Sequence, residues 1–277
     1  PPRSTPKPSS AASDVYKRQT SDSAHTMELR GTAALSHTTT VSPYASGGYS
    51  AYFDGSGDYL NIAGGSSLYT AMDFGTADYT VECWLYPQLS GNAFAFGFSD
   101  SSGTDSSVAF ALRLNISGED VTVRFQNAND SGTLNLSLQH IGNFNYKWTH
   151  VAVTRTGGNQ KLYINGIEAF TQSDASAHMR TPAHSFSIGR AGDRSAFYYK
   201  GYISDLRIVN GTAVYTGAFT PPRSRLTAVT NTKLLACHLP YPKDGSTVNH
   251  ALTVEGNTYC LLYTSPSPRD RTRSRMP

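Results

Sequence analysis

The run Tyr79–Tyr86 (YTVECWLY) alternates without a break, and that period of two constrains the fold more than any other feature. It places Tyr79, Val81, Cys83 and Leu85 on one face and Thr80, Glu82, Trp84 and Tyr86 on the other. Val108–Leu114 (VAFALRL) and Val121–Phe125 (VTVRF) alternate in the same way. Trp148–Arg155, a Gly157-Gly158-Asn159 turn and Lys161–Ile164 predict a hairpin. Asn165-Gly166 follows, a dipeptide suited to a type I′ turn because both residues tolerate positive φ, and Ile167–Thr171 is its expected return strand. Ser185–Ile188, Gly201–Val209 and Lys233–Cys237 add further strands. Helical periodicity is confined to a turn or two near Thr212–Tyr215. Many short strands with two usable faces predict an all-β chain: a two-sheet antiparallel jelly-roll sandwich. No apolar run approaches the ~20 residues of a membrane-spanning helix.

The ends differ from this pattern. Residues 1–19 (PPRSTPKPSSAASDVYKRQ) and 260–277 (CLLYTSPSPRDRTRSRMP) are rich in Pro, Ser and Arg and have no periodicity. Ser9–Gln19 and Cys260–Asp270 back-translate into sequences that resemble the two arms of a transposase-type sequencing adapter, each joined to its mosaic end. Both ends are therefore expected to be adapter-derived and disordered, and are set aside from fold reasoning. The exclusion reverses the charge. The full chain carries 23 Lys+Arg and 20 Asp+Glu, a net +3. Each end removes four basic residues and one acidic residue, leaving 15 and 18, a net −3. With no basic stripe remaining, the electrostatic contribution that supplies nucleic-acid binding is missing.

Between these ends, 20–48 is expected to be a linker or the end of a preceding repeat, 49–239 the sandwich, and 240–259 the start of a following linker or repeat. His25–Gly31 (HTMELRG) and His250–Gly256 (HALTVEG) share a pattern of His, apolar, apolar and Gly 225 residues apart, which suggests one period of a tandem array. Cys83 and Cys237 are expected as small core residues, although pairing of the first and last strands would allow a bridge between them.

Phe53-Asp54-Gly55-Ser56-Gly57-Asp58-Tyr59-Leu60, Tyr79–Trp84, Trp148–Arg155 and Lys161–Gly166 follow one another in an order that resembles laminin-G-like, concanavalin A-like lectin jelly rolls. The closing run Gly201–Pro222 (GYISDLRIVNGTAVYTGAFTPP) resembles the version found in phage tail proteins and environmental surface proteins. The resemblance covers about Tyr49 to Leu239. It implies a binding module on an extracellular or virion surface, with a glycan or surface-protein partner; a purely structural virion decoration domain and the accessory domain of a glycoside hydrolase are the alternatives, and the ligand stays open because the fold hosts many functions.

The residues narrow the chemistry. A glucanase of this architecture resembles enzymes that set two carboxylates on one strand face around a glycosidic bond. Here Glu28, Glu82, Glu119, Glu168 and Glu255 are scattered singly, and Glu82 has no second carboxylate within reach on its strand. A non-catalytic chain is expected, with Glu82 hydrogen-bonded in a structural role. Calcium, which takes about six to eight oxygen ligands, is a candidate cofactor. Asp54 and Asp58, in the loop Asp54–Asp58, are the candidate ligands; Asp100, Asp105 and Asp193 sit in other polar loops. The alternative for Asp54 and Asp58 is turn closure by side-chain to backbone bonds. Ligand contact is expected at an aromatic and polar loop made of Arg190, Asp193, Arg194, Phe197, Tyr198 and Tyr199, with Asn92 and Asn129-Asp130 as polar neighbours. Trp84, Trp148, Phe53 and the alternating tyrosines are expected in the core. Asp205 and Arg207 are expected to form a structural pair on one strand face.

Overall fold

The computed structural model describes residues 42–45, 47–63, 65–99, 108–128, 134–173, 184–193 and 195–262. Its strands are β1 (Tyr49–Asp54), β2 (Tyr59–Ile62), β3 (Tyr79–Pro87), β4 (Ala93–Phe98), β5 (Ala111–Ser117), β6 (Asp120–Ala128), β7 (Leu134–Gly142), β8 (Thr149–Thr156), β9 (Asn159–Ile164), β10 (Ile167–Ser173), β11 (Phe186–Ile188), β12 (Lys200–Asn210), β13 (Thr232–Ala236), β14 (Thr253–Glu255) and β15 (Tyr259–Leu262). One sheet runs β10-β9-β8-β3-β12-β1-β15, with β13 also paired to β12; the other runs β14-β2-β11-β4-β5-β6-β7. The pairings between strands are antiparallel, as in a jelly-roll sandwich. Among the described residues no helix is long and apolar enough to cross a membrane.

The alternation of YTVECWLY holds. Tyr79, Val81, Cys83 and Leu85 enter the core, where Phe53, Phe74, Phe96, Phe98, Phe110, Phe125 and Phe186 join them. Phe74 stacks on Tyr79 at 4.8 Å, and Phe110 packs edge-on to Phe98 at 5.3 Å, the offset contacts that aromatic rings favour. Asn165 and Gly166 take φ of 50° and 80°, so the dipeptide makes the turn its composition predicts.

Two expectations change, and the cysteines stay the small core residues they were expected to be. The helical turn does not form near Thr212–Tyr215; the helix is α1 (Ser66–Met72), seven residues that bury Leu68 and Met72 one turn apart. That element is too short to give a periodic signal. Cys83 and Cys237 are both free and buried, since β13 pairs with β12 and not with β3. Asp205 and Arg207 do not pair. A bulge between Ser204 and Arg207 interrupts β12, and Asp205 sits there at φ 52°. The bulge reverses the parity, so Ile203, Leu206 and Ile208 all face the core. It also marks where the neighbour of β12 changes from β1 to β13.

The sandwich also continues past residue 239. β14 adds to β2 in one sheet and β15 adds to β1 in the other, so residues 253–262 extend an edge of each layer. β15 crosses the limit at 260 expected from the adapter resemblance, because strand addition needs only a backbone edge and the N–H and C=O groups of β1 supply one. His25–Gly31 lies outside the described residues.

Candidate functional site

The residues predicted to meet ligand do not form one surface. Tyr199 is fully buried, edge-on to Phe53 at 6.3 Å, with its hydroxyl donating to the Tyr202 carbonyl at 3.2 Å. It is a core residue, because the stretch 197–199 makes a bridge to Phe94 that turns Tyr199 inward. Arg190 is also buried, with its guanidinium 3.6 Å from the Tyr59 ring centre; Tyr198 also meets Tyr59, ring centres 6.4 Å apart. Phe197, at φ 58°, remains 41% exposed and packs over Phe94 at 6.1 Å. Asp193 is half-exposed, 3.9 Å from His184 Nδ1. Arg194, Asp100, Asp105, Asn129 and Asp130 lie outside the described residues. The loop therefore mainly seals the outer face of its own sheet, with Phe94, Val108, Ala111 and Ala191 as a small cluster beneath it.

Asp54 and Asp58 close their turn. Asp58 is buried, and its two carboxylate oxygens accept the amides of Asp54 at 3.0 Å and of Asn257 at 2.6 Å. Burial raises the Asp58 pKa, against the pull of those two amides. Asp54 accepts the Ser56 amide at 2.6 Å. Among the described residues, no three His, Cys, Asp or Glu side chains gather around a common point. This donor set does not fit calcium: Asp58 is enclosed, and both its oxygens already hold main-chain N–H groups.

Glu82 is enclosed as well. Arg207 Nε donates to it at 2.8 Å and Tyr215 Oη at 2.8 Å, and His150 Nε2 lies 3.2 Å away. Tyr215 stacks on Phe219 at 3.6 Å, and Phe219 meets His150 and Tyr163 edge-on. The segment after β12 thus roofs half of the outer face of its sheet, and Glu82 ties that roof down.

The other half of this face is open, and there the register assembles a row of aromatic rings. Tyr52 of β1 is the direct partner of Tyr202 of β12, and Tyr202 is the direct partner of Tyr86 of β3. Tyr52 also faces Tyr259 of β15. Leu85 pairs with Thr149, which brings Trp148, one residue before β8, opposite Tyr86. Ring centres follow at 5.4 Å (Tyr259–Tyr52), 4.9 Å (Tyr52–Tyr202), 5.9 Å (Tyr202–Tyr86) and 5.6 Å (Tyr86–Trp148). Tyr52, Tyr86 and Tyr202 alternate with buried residues of their strands; these three and Trp148 are partly exposed, and Tyr259 is exposed. The exposed Asp54 and Lys200, themselves cross-strand partners, and the half-exposed Gln88 border one long side. On the other side Ser50, Ser204 and His150 are buried, and Tyr44 stands against Trp84 at 6.3 Å.

Burial, together with the neighbouring phenols of Tyr259, Tyr52 and Tyr86, pushes Tyr202 up to about 12, and Tyr52 and Tyr259 are raised too. The hydroxyls therefore stay neutral and can both donate and accept. A row of ring faces with hydroxyl edges can take up an apolar surface that carries hydroxyl groups along its rim. Trp148 and the alternating tyrosines of the row were expected in the core, and Tyr259 in a following linker or repeat. One signal did point outward: alternation along YTVECWLY puts Tyr86 opposite Leu85, on the face of Glu82.

In comparisons with known proteins, the family described as the concanavalin A-like lectin/glucanases superfamily, Laminin_G_3, matches residues 53–216. No curated protein matches the chain in sequence. Among solved structures, a heptameric SAP-like pentraxin from Limulus polyphemus superposes with a TM-score of 0.50 at 13% identity, covering 78% of this chain and 95% of that one. A Bacteroides ovatus protein named for carbohydrate binding gives 0.52 at 13% identity, covering 79% of this chain and 61% of that one. Domains LG4–5 of the mouse laminin α1 chain give 0.40 at 15% identity, covering 60% and 42%.

Proposed function

From the premise that this chain belongs to the concanavalin A-like lectin/glucanase superfamily, we propose that it is a non-catalytic carbohydrate-binding or adhesion module that meets its ligand on the open aromatic row. The observation that carries this reading is the register itself: four tyrosines from four strands, joined by Trp148 just before β8, gather on one solvent-facing surface. Sugar rings present C–H faces that pack on aromatic faces, and their hydroxyls find partners in the phenols and in Asp54, Lys200 and Gln88. A depression of about 430 Å³, lined by Ser67, Thr70, Ala71, Lys233 and Val248, has no aromatic residue and is a weaker candidate. The non-catalytic assignment draws support from Glu82, whose carboxylate is held by Arg207, Tyr215 and His150 beneath the roof. Placement on a phage tail or other virion or cell surface, within a longer repeated protein, is supported by the likeness of Gly201–Pro222 to tail-protein sequences.

A glycan array probed with the full chain tests this. Binding to at least one glycan class, lost in Tyr202→Ala and kept in Tyr202→Phe, is expected with or without calcium. Unchanged binding in Tyr202→Ala would remove the aromatic row from the site.

A further inference from the structure

We infer that the row is built for a single extended, soluble glycan chain lying across the strands, and not for a terminal sugar or a crystalline polysaccharide surface. This rests on the reading of the row as a glycan surface. Three observations on the row carry it.

The first is length. The rings come from β15, β1, β12, β3 and the residue before β8, but Trp148 turns back to lie 6.4 Å from Tyr202 as well as beside Tyr86, so the rings cover about three strand spacings of about 4.8 Å. A pyranose repeat in an extended, equatorially linked chain is close to one such spacing, so the row holds about three sugars. A terminal monosaccharide would leave most of it empty.

The second is tilt. Successive rings are inclined by 38° (Tyr259–Tyr52), 51° (Tyr52–Tyr202), 73° (Tyr202–Tyr86) and 55° (Tyr86–Trp148). A flat crystal face needs coplanar rings. A single chain can rotate about each glycosidic bond and follow inclined ones. In an equatorially substituted pyranose both faces are C–H faces, so each sugar presents an apolar side whichever way up it lies.

The third is the asymmetry of the long sides. Asp54, Lys200 and Gln88 offer charged and amide groups on one side, while on the other the roof packs over His150 through Phe219 and Tyr44 stands against Trp84, with Ser50 and Ser204 buried. That step gives the row a wall and a polar edge. A lone chain meets both, whereas the face of a crystal, wider than the row, would be held off by the wall.

The test is titration of the full chain with β-1,4-linked oligosaccharides of one to six sugars, using gluco-, N-acetylglucosamine, manno- and xylo- series, followed by Trp148 fluorescence and calorimetry. Pull-down on crystalline cellulose and chitin runs in parallel. Affinity is expected to climb with each sugar up to about three and then level off, with soluble chains outcompeting the crystalline solids. In Tyr259→Ala, at one end of the row, the longest oligomer should bind about tenfold more weakly, equivalent to about 1.4 kcal/mol, with the shorter ones unaffected. Tyr202→Ala, at the centre, should weaken every length. Equal affinity for one sugar and six, or retention by the crystalline solids alone, would overturn the single-chain inference and leave glycan binding standing. Absence of binding to any glycan, here and on the array, would overturn both.

Discussion

Arg207 and Glu82 form a buried ion pair across β12 and β3: Nε donates to the carboxylate at 2.8 Å, and neither side chain has appreciable solvent contact. Their strands are adjacent, and Arg207 and Glu82 are direct register partners. The pair exists because the bulge at Asp205 moves Arg207 out of step with Ile203 and onto the outer face, where the roof segment closes over it. Tyr215 of that segment donates to the same carboxylate, so one glutamate joins two strands and the roof.

Removing one partner should therefore cost more than the pair is worth. Arg207→Met leaves Glu82 enclosed with an uncompensated charge, and loss of one member of a buried pair typically costs about 3–5 kcal/mol. Urea denaturation of Arg207→Met, Glu82→Gln and the double variant checks this. The double variant is expected to recover much of the loss. A single-variant loss below about 1 kcal/mol, the range of exposed pairs, would refute the enclosure of the pair.

How much of this was readable in the sequence depends on the range of each interaction. Within one strand, parity is local: YTVECWLY gave the correct inward and outward faces without knowledge of any neighbour. β4, with AFAFGF buried on both sides, has no alternation to read. Asp205 reverses the parity of β12, and nothing in ISDLRI distinguishes a bulged aspartate from a paired one. The aromatic row is still less legible. Tyr52, Tyr86, Trp148, Tyr202 and Tyr259 are far apart in sequence, and their alignment is a property of register, set by turns and bulges elsewhere. Conversely Phe197-Tyr198-Tyr199, adjacent in sequence, looked like a site and is dispersed between surface and core.

Asp205 makes a pH prediction. Burial pushes its carboxyl up to about 6 from 3.8, against hydrogen bonds from Ser204, Leu226 and Tyr44. A raised pKa means that the folded state binds more protons between those values, so this contribution to stability is full below 3.8 and is lost as pH rises through about 6. The loss is on the order of 3 kcal/mol for a shift of this size. His238 works in the opposite direction: burial lowers it to about 4 from 6.5, so its contribution is present above 6.5 and is lost as pH falls through about 4. Urea midpoints between pH 4 and 7 should therefore change little in the parent chain. They should rise with pH in Asp205→Asn and fall with pH in His238→Gln. Parallel profiles for all three proteins would contradict the assignment.

Gly166 links a turn to the roof. Its carbonyl accepts the Phe219 amide at 2.9 Å, and a Cβ at this position would run into the Phe219 carbonyl and the Pro221 ring, with φ at +80° adding strain. Gly166→Ala should therefore lift Phe219 from His150 and Tyr163 as well as strain the hairpin, at a cost of about 1–3 kcal/mol. Faster hydrogen exchange at the Phe219 amide, with little change in β4–β6, is the expected signature. Equal acceleration in both sheets would mean global destabilisation instead.

Asp58 decides between turn closure and calcium. Its two oxygens hold the Asp54 and Asn257 amides, and through Asn257 it pins the β14–β15 corner against the β1–β2 corner. Asp58→Ala leaves two donors without their acceptor. At about 1–3 kcal/mol for a buried group left unsatisfied, the variant should lose a large fraction of the stability of the chain. The edge row should feel it, because Tyr259 follows Asn257 by two residues and faces Tyr52. Long oligosaccharides should then bind more weakly than short ones lose affinity, as in Tyr259→Ala. Calcium should leave the thermal midpoint of both proteins where it was. A calcium-dependent rise in the parent chain that Asp58→Ala abolishes would make this aspartate a metal ligand and not a turn clamp.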